Sequence, residues 1–156
     1  MLDLADTNAS SQIPATDDGY AANPLLAPSA APFGAPSFAD IRPGHFMPAF
    51  RRAFADHAAE IAAIAENPAA PDFDNTIAAL ERSGRLLMAV TAVFDNLVSA
   101  HSDAELRDIE SEVALLQARH WSAVTMNAAL FERIAAVFAG RDRLSLGAEQ
   151  RRLVER

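Results

Sequence analysis

The four histidines are the side chains of this sequence with the most capacity for acid–base or metal chemistry, because its 156 residues include no cysteine. A helical zinc site of the His-Glu-x-x-His type requires a glutamate directly after its first histidine. Here other residues follow the histidines, in the pairs His45-Phe46, His57-Ala58, His101-Ser102 and His120-Trp121. The motif is absent from the sequence, and we predict no catalytic residue, no metal ligand and no cofactor-binding residue.

His57 and Glu60 form the nearest approach to a metal-binding pair, since residues three apart share a helical face. Their order is His-x-x-Glu, opposite to the Glu-x-x-His of di-iron helical bundles, and no second copy occurs. A metal-binding four-helix bundle therefore ranks last among the functional hypotheses.

The remaining chemistry-bearing residues have structural explanations. His120 lies on an apolar stripe, where we expect a core or interface histidine that donates to a carbonyl. His101 falls at the C-terminal end of a predicted helix, where the helix dipole favours a cation. Trp121, the single tryptophan, is expected at a contact between helices.

Nucleophile and phosphate-binding motifs are also missing. The sequence has no G-x-S-x-G elbow, and Ser83-Gly84 is predicted to lie inside a helix. Neither a phosphate loop nor a G-x-G-x-x-G fingerprint occurs. Paired carboxylates perform acid–base chemistry only when they are buried together. We therefore expect a solvated surface for the acidic helix face made by Asp103, Glu105, Asp108, Glu110 and Glu112.

Net charge and composition exclude several classes of partner. The chain has 21 acidic and 13 basic residues, a net charge of -8, and every basic residue is arginine. Nucleic-acid binding needs clustered cations, and anionic lipid repels such a chain, so we expect neither partner. The absence of cysteine excludes disulfide scaffolds and thiolate metal sites. No apolar run could span a bilayer, and the acidic start is unlike a signal peptide, so the cytoplasm is the predicted location.

A change of composition near residue 37 divides the chain. Residues 1–37 form an arm rich in proline and alanine that we expect to be largely disordered, above all over residues 1–22. Asn23-Pro24-Leu25-Leu26 is predicted to pack as an extended segment. Residues 38–156 are predicted to form one helical domain.

Apolar residues recur at helical spacing through this domain. Phe46, Phe50 and Phe54, with Ile61 and Ile64, predict a helix over residues 48–66 whose aromatic row is core. A second, long helix is predicted from the Asp72-to-Asn75 stretch to about residue 100, with Asp72 or Asp74 as its N-cap. Gly84 is expected inside this helix, at a close helix crossing.

Cap residues mark the remaining helices. Ser102 and Glu105 form a predicted capping box for a helix that ends near Thr125, and Asn127 is predicted to cap a helix that ends at Gly140. A last helix begins at residue 148. No segment alternates like a strand, so the predicted class is all-α, with antiparallel helices joined by short loops.

Several stretches follow one another in a recognisable order. They are Asn23-Pro24-Leu25-Leu26, residues 38–50 and 60–68, residues 71–84 (PDFDNTIAALERSG), Val93-Phe94-Asp95-Asn96-Leu97, Ala100-His101 and residues 127–131. Taken together, they resemble the N-terminal region of the thimet-oligopeptidase family of zinc metallopeptidases, with its peptidyl-dipeptidases the nearer match and oligopeptidase A the second. The resemblance covers about residues 23–156.

The resemblance implies a scaffold without a reaction centre. Family members are several times longer, and their zinc ligands and general base lie downstream of the region that matches this chain. The family's N-terminal helices form part of the wall of a deep channel that admits short peptides, and its peptidyl-dipeptidases release C-terminal dipeptides. We therefore expect zinc only in a full-length enzyme, and no peptidase activity from this chain alone.

A contrasting hypothesis is a stand-alone helical module that binds peptides or a partner protein, such as a separately encoded catalytic portion. The chain stops inside the helix that begins at residue 148, which favours a domain truncated before the catalytic zinc domain, from a shortened gene or a trimmed product. If the chain is such a truncated domain, we also expect Phe or Leu side chains to be exposed on one side of it.

Overall fold

The structure, a computed structural model, describes residues 23–27, 31, 34–100 and 103–155, and the regular elements in these ranges are helices joined by turns and loops. No strand occurs in these ranges, which confirms the predicted all-α class. A short 3-10 helix, Pro43–His45, and a π-helical turn, Phe73–Ile77, accompany the α-helices. These are α1 (Phe46–Ala65), α2 (Ala78–Arg82), α3 (Arg85–Ala100), α4 (Ala104–Thr125), α5 (Ala128–Gly140) and α6 (Ala148–Glu155).

Helix α1 is the central element, since α3, α4 and α5 all pack against it. It begins at Phe46, slightly earlier than predicted, and Pro48 fits in its first turn because the N–H groups there lack helical partners. The predicted aromatic row does enter the core. Phe46 and Phe50 are fully buried, and their rings lie 4.9 and 5.4 Å from the ring of Phe94 on α3, both edge-on.

The predicted long helix from residue 72 to residue 100 is wrong, because the helix is interrupted at Ser83 and Gly84, a two-residue break between α2 and α3. Ser83 is extended, and Gly84 has a φ of 69°, in the left-handed region that favours glycine. Upstream, the Oδ1 atom of Asp72 accepts a hydrogen bond of 2.7 Å from the N–H of Asn75. The predicted cap is therefore present, but it begins a π-helical turn followed by the short α2.

Of the two caps predicted for the later helices, one is confirmed and the other is a different residue. Asn127 caps α5 as predicted, with its Oδ1 accepting from the N–H of Leu130 at 2.9 Å. Helix α4 is capped instead by Asp103, whose Oδ1 accepts from the N–H of Leu106 at 2.8 Å. Ser102, the predicted cap, lies outside the described residues.

The described part of the arm includes a turn at residues 23–27 rather than the extended segment predicted there. Buried Asn23 donates from Nδ2 to the carbonyl of His45 at 2.8 Å, and Leu25 and Leu26 pack on the core around α1. This turn therefore covers the start of α1. The predicted boundary between residues 37 and 38 stays a prediction.

A buried arginine holds the C-terminal half to the loop after α1. Arg133 on α5 donates from Nη1 to the carbonyls of Asn67 and Ala69, at 2.7 and 3.0 Å, and from Nη2 to Oδ1 of Asn75 at 2.8 Å. Its Nε atom is buried without a partner among the described residues. Sequence reasoning missed this clamp, because an arginine on a helix is ordinarily a surface residue.

No single helix within the described ranges meets the length and apolarity of a membrane span, whereas α4 and α5, bent by 53° at their junction, meet that test only as a pair.

Candidate functional site

Two histidines meet where α1 and α4 cross. The Nδ1 atom of His57 lies 2.9 Å from Nε2 of His120, and their ring centroids are 4.8 Å apart. On its other side, Nε2 of His57 lies 3.2 Å from Oγ of Ser83, in the break before α3. Only 4% of the surface of His57 is exposed. The fold therefore links α1, α4 and the break through one buried imidazole.

The hydrogen-bond partners determine which atoms carry the protons. The Ser83 hydroxyl donates to the carbonyl of Leu80 at 2.7 Å, so its oxygen is left to accept from Nε2–H of His57. In a neutral imidazole the other nitrogen is then an acceptor, and Nδ1 of His57 accepts from Nε2–H of His120. Every nitrogen in this chain of contacts is satisfied when both rings are neutral.

Burial favours those neutral forms. Desolvation lowers the pKa of His57 below its ordinary 6.5, against the smaller opposing effect of the Glu60 carboxylate. Desolvation also lowers the pKa of His120, and the neighbouring His57 lowers it further. Protonation of His57 would place a proton on Nδ1 and so remove the acceptor of the hydrogen bond from His120.

Gly84 brings the backbone break directly against the buried ring. A Cβ atom at this position would lie 3.2 Å from each of three ring atoms of His57, closer than ordinary van der Waals contact. The N–H of Gly84 donates to Oε2 of Glu60 at 2.7 Å. Glycine is therefore required here twice, for the positive φ and for the space that His57 occupies.

A groove of about 550 Å³ opens beside this break. Helices α3 and α4 both pack on α1, and the space between them remains open, with His57 and Ile61 of α1 among its lining. Met88 of α3 and Trp121 of α4 line it and are 61% and 45% exposed. The Trp121 ring lies 5.6 Å from the ring of His57, edge-on. The volume falls within the range of ligand pockets, about 300–1,000 Å³.

The chemistry of this arrangement favours binding over catalysis. A nucleophilic serine needs a histidine that accepts its proton, but the Ser83 proton is directed to Leu80 and His57 is the donor. Across the described ranges, no three His, Asp or Glu side chains are grouped so as to hold a metal ion. Glu60, the metal partner that the sequence suggested for His57, has a carboxylate oxygen directed to Gly84.

The other candidates from the sequence are scattered. His120 is partnered by His57 rather than by the predicted carbonyl, and Ser83-Gly84 lies in a break rather than inside a helix. Trp121 contacts both histidine rings at the helix crossing, close to its predicted setting. His101 lies outside the described residues.

The acidic face and His45 have local roles. His45 accepts a hydrogen bond from the N–H of Arg42 at 3.1 Å, just before α1. On the acidic face, Asp103 caps α4 and Glu112 pairs with Arg51 at 3.0 Å. Asp103, Glu105, Asp108, Glu110 and Glu112 are all exposed, as predicted for a solvated surface.

Sequence reasoning missed the contact between the two histidines. The available signal was the place of His57 on the buried stripe of α1, between Phe50 and Ile61, where a polar ring requires a partner. Periodicity places His57 on that face, but the partner comes from α4, which is distant in sequence.

Comparison with known proteins shows a clear similarity at one end of two longer proteins. The chain is 44% identical over 133 residues to dipeptidyl carboxypeptidase of Escherichia coli, and 42% identical over 133 residues to that of Salmonella typhimurium. In each case the match covers 85% of this chain and 20% of the relative. The chain is therefore homologous to the N-terminal region of these proteins and spans about a fifth of their length. No protein-family model matches it.

Proposed function

We propose that this chain is the N-terminal, channel-wall portion of a zinc-dependent peptidyl-dipeptidase that releases dipeptides from the C-terminal ends of short peptides. The observation that carries the proposal is the 44% identity over 133 residues to a protein named dipeptidyl carboxypeptidase. The match covers 85% of this chain but only a fifth of the relative. Its place in the whole enzyme, its substrates and its cytoplasmic location belong to this proposal.

Exposed apolar side chains support a role as one part of a larger body. Phe131 and Phe138 lie two turns apart on α5 and are 67% and 43% exposed, and Met126 before α5 is 80% exposed. Large apolar side chains exposed on one part of a surface are typical of a site of contact with other protein. We propose that the remainder of the peptidase covers this face.

The zinc would belong to that remainder. Neither of the two described histidines that lie close together, His57 and His120, is followed by glutamate, and their facing nitrogens are used by each other. These residues do not fit a zinc site, so the proposed reaction takes place outside this chain. We therefore expect the isolated chain to leave peptides intact.

A peptidase assay tests this division of labour. The purified chain, with zinc added, should release no dipeptide from a blocked tetrapeptide, whereas the full-length E. coli relative should release it under the same conditions. Robust dipeptide release that a chelator abolishes would show that the chain has its own reaction centre and would overturn the proposal.

A chimera tests the proposed place in the enzyme. Replacing the matched region of the E. coli relative with the corresponding residues of this chain should retain dipeptide release, because the two regions are 44% identical over 133 residues. A deletion of the same region serves as the inactive control. A soluble, folded chimera without activity would argue against equivalence of the two regions.

The groove favours a second candidate function, a stand-alone module that binds peptides or a partner protein. The two candidates differ in the DNA that follows and in behaviour in solution. A downstream reading frame that encodes His-Glu-x-x-His supports the peptidase portion, as does self-association through the exposed face of α5. A stop codon directly after this sequence, together with a soluble monomer by light scattering, supports the stand-alone module. Because of the net charge of -8, neither proposal includes a nucleic-acid or membrane partner.

A further inference from the structure

We propose that the groove between α3 and α4 binds a short peptide segment that carries an apolar side chain flanked by lysine or arginine. This inference goes beyond the proposed peptidase role and does not depend on it, because binding is measured on this chain alone. The apolar lining of the groove and the carboxylates that belong to it favour this occupant.

The middle of the groove is apolar. Met88 of α3 and Trp121 and Val124 of α4 line its two walls, and the buried His57 closes it on the side of α1. The pKa of His57 is lowered by burial, so its ring is neutral at neutral pH and presents no cation to the groove. An aliphatic side chain that enters the groove would be removed from water and would contact the side chains of Met88 and Trp121.

An acidic side chain stands near each end of the α2–α3 stretch that lines the groove. Glu81 lies in α2 before the break, and Asp95 lies two turns beyond Met88 on α3, about 10 Å further along the helix axis. Both carboxylates line the groove and are exposed, and within the described ranges neither side chain has an ion-pair or hydrogen-bond partner. No arginine is among the lining residues, and the chain contains no lysine.

These features select one kind of occupant. Unpaired carboxylates at both ends repel an acidic segment and attract a basic one, while the apolar middle rewards an aliphatic anchor. An extended pentapeptide spans at most about 17 Å, so long cationic side chains at its two ends can flank a central side chain that enters the groove. A purely aliphatic ligand would leave both carboxylates without a counter-charge.

Trp121 is the only tryptophan of the chain, so its fluorescence reports occupancy directly. The probes are three blocked pentapeptides that share an Ala-Leu-Ala centre and carry arginine, glutamine or glutamate at both ends. The arginine peptide should give a saturable change in emission, the glutamine peptide a weaker one and the glutamate peptide none. The response to the arginine peptide should weaken as salt is added.

Charge-neutral variants identify the two ends. Glu81→Gln and Asp95→Asn should each weaken binding of the arginine peptide by about 1.5- to 5-fold, the range of exposed ion pairs, and should leave the glutamine peptide unchanged. Glu110→Gln and Asp108→Asn remove exposed carboxylates that do not line the groove, and these matched controls should bind like the wild-type chain.

Amide chemical-shift mapping supplies a second readout on the full chain. Binding in the groove should shift the amides of Gly84, Ala92 and Val124. Equal binding of all three peptides, shifts confined to the Phe131 face of α5, or the absence of any shift and any saturable emission change would each overturn the proposal. These outcomes leave the peptidase assay and the chimera untouched, so the two proposals fail independently.

Discussion

The two ends of the buried stripe of α1 are built from different chemistry. At the N-terminal end, Phe46 and Phe50 meet Phe94 of α3 edge-on, and these rings have no polar atom to satisfy. One helical turn beyond Phe54, His57 is equally buried, but it is held by His120 and Ser83 through both nitrogens. The same helix face therefore supports a core that tolerates local adjustment and a contact that does not.

The difference lies in what each contact requires. Aromatic rings gain from burial and accept a range of orientations, so an apolar cluster depends mainly on volume and pattern. A buried imidazole loses its hydrogen bonds to water and must regain them at fixed distances and in one tautomer. The histidine end therefore depends on the exact break at Gly84, whereas the phenylalanine end depends on its total packing.

Removing the central ring of the aromatic end should have the largest effect. Phe50→Ala should lower the free energy of unfolding by about 3–5 kcal/mol, because a fully buried ring leaves a cavity between α1 and α3. Urea unfolding at neutral pH measures this change. Phe38→Ala removes a ring that is 49% exposed and should cost far less. Equal losses in the two variants would contradict the assignment of the aromatic core.

A methyl group at Gly84 should disturb the contacts of His57 and lower the free energy of unfolding by less than Phe50→Ala does. Gly84→Ala should lower the free energy of unfolding by about 1–3 kcal/mol from the positive φ alone, with a further cost from the contact with the His57 ring. Gly44→Ala, where an added Cβ would touch nothing within 4 Å, is the control.

A double-mutant cycle separates the two causes at Gly84. In a His57→Ala background the ring is gone, so Gly84→Ala should retain only the backbone cost. If the loss from Gly84→Ala is the same in both backgrounds, the close approach of His57 contributes nothing and the comparison between the two ends weakens.

Acid should weaken the histidine end before it affects the aromatic end. The unfolded chain takes up protons on both histidines near their ordinary pKa of 6.5, whereas burial lowers the folded pKa of each. The unfolded state therefore binds more protons as the pH falls below about 6.5, so stability should be level above that pH and decline below it. Urea unfolding at a series of pH values measures the decline.

Variants test whether the histidine pair causes that decline. Replacing both members, His57→Gln with His120→Gln, should remove most of the loss between about pH 6.5 and pH 5, before carboxylates titrate. His45→Gln keeps the pair and should keep the loss. The group that faces the pair with a charge is Glu60, whose attraction opposes the shift at His57. An unchanged decline in the double variant would contradict this origin.

The aromatic end could be predicted from the sequence and the histidine end could not. Spacings of three and four residues place Phe46, Phe50 and His57 on one face of a helix, and burial of that face follows from its composition. The partner of His57 comes from α4, and its second partner depends on a left-handed residue. Local pattern indicated only that Gly84 was unfavourable inside a helix, without showing that the helix ends there.

Arg133 illustrates the same limit in the C-terminal half. Its guanidinium satisfies loop carbonyls that no periodic pattern identifies, and its burial follows from how α5 packs against the π-helical turn. The caps Asp72 and Asn127, in contrast, act on residues within three positions and were predictable. These two local caps were thus recovered, although the cap of α4 proved to be Asp103 rather than Ser102, and the polar contacts between distant elements were not predicted.

The smallest predicted effect comes from a polar contact that joins the same two helices as the histidine pair but lies in solvent. Arg51 of α1 and Glu112 of α4 form an ion pair of 3.0 Å, with side chains 57% and 50% exposed. Because water and salt screen it, Glu112→Gln should lower the free energy of unfolding by at most about 1 kcal/mol, and by less as salt is added. Urea unfolding at low and high salt measures this, with Glu110→Gln as the exposed control. Double-mutant cycles give the coupling free energy of each pair, Arg51 with Glu112 and His57 with His120. If the coupling is larger for the exposed ion pair, the comparison is reversed, because burial then does not determine how strongly a polar contact between α1 and α4 stabilises the fold.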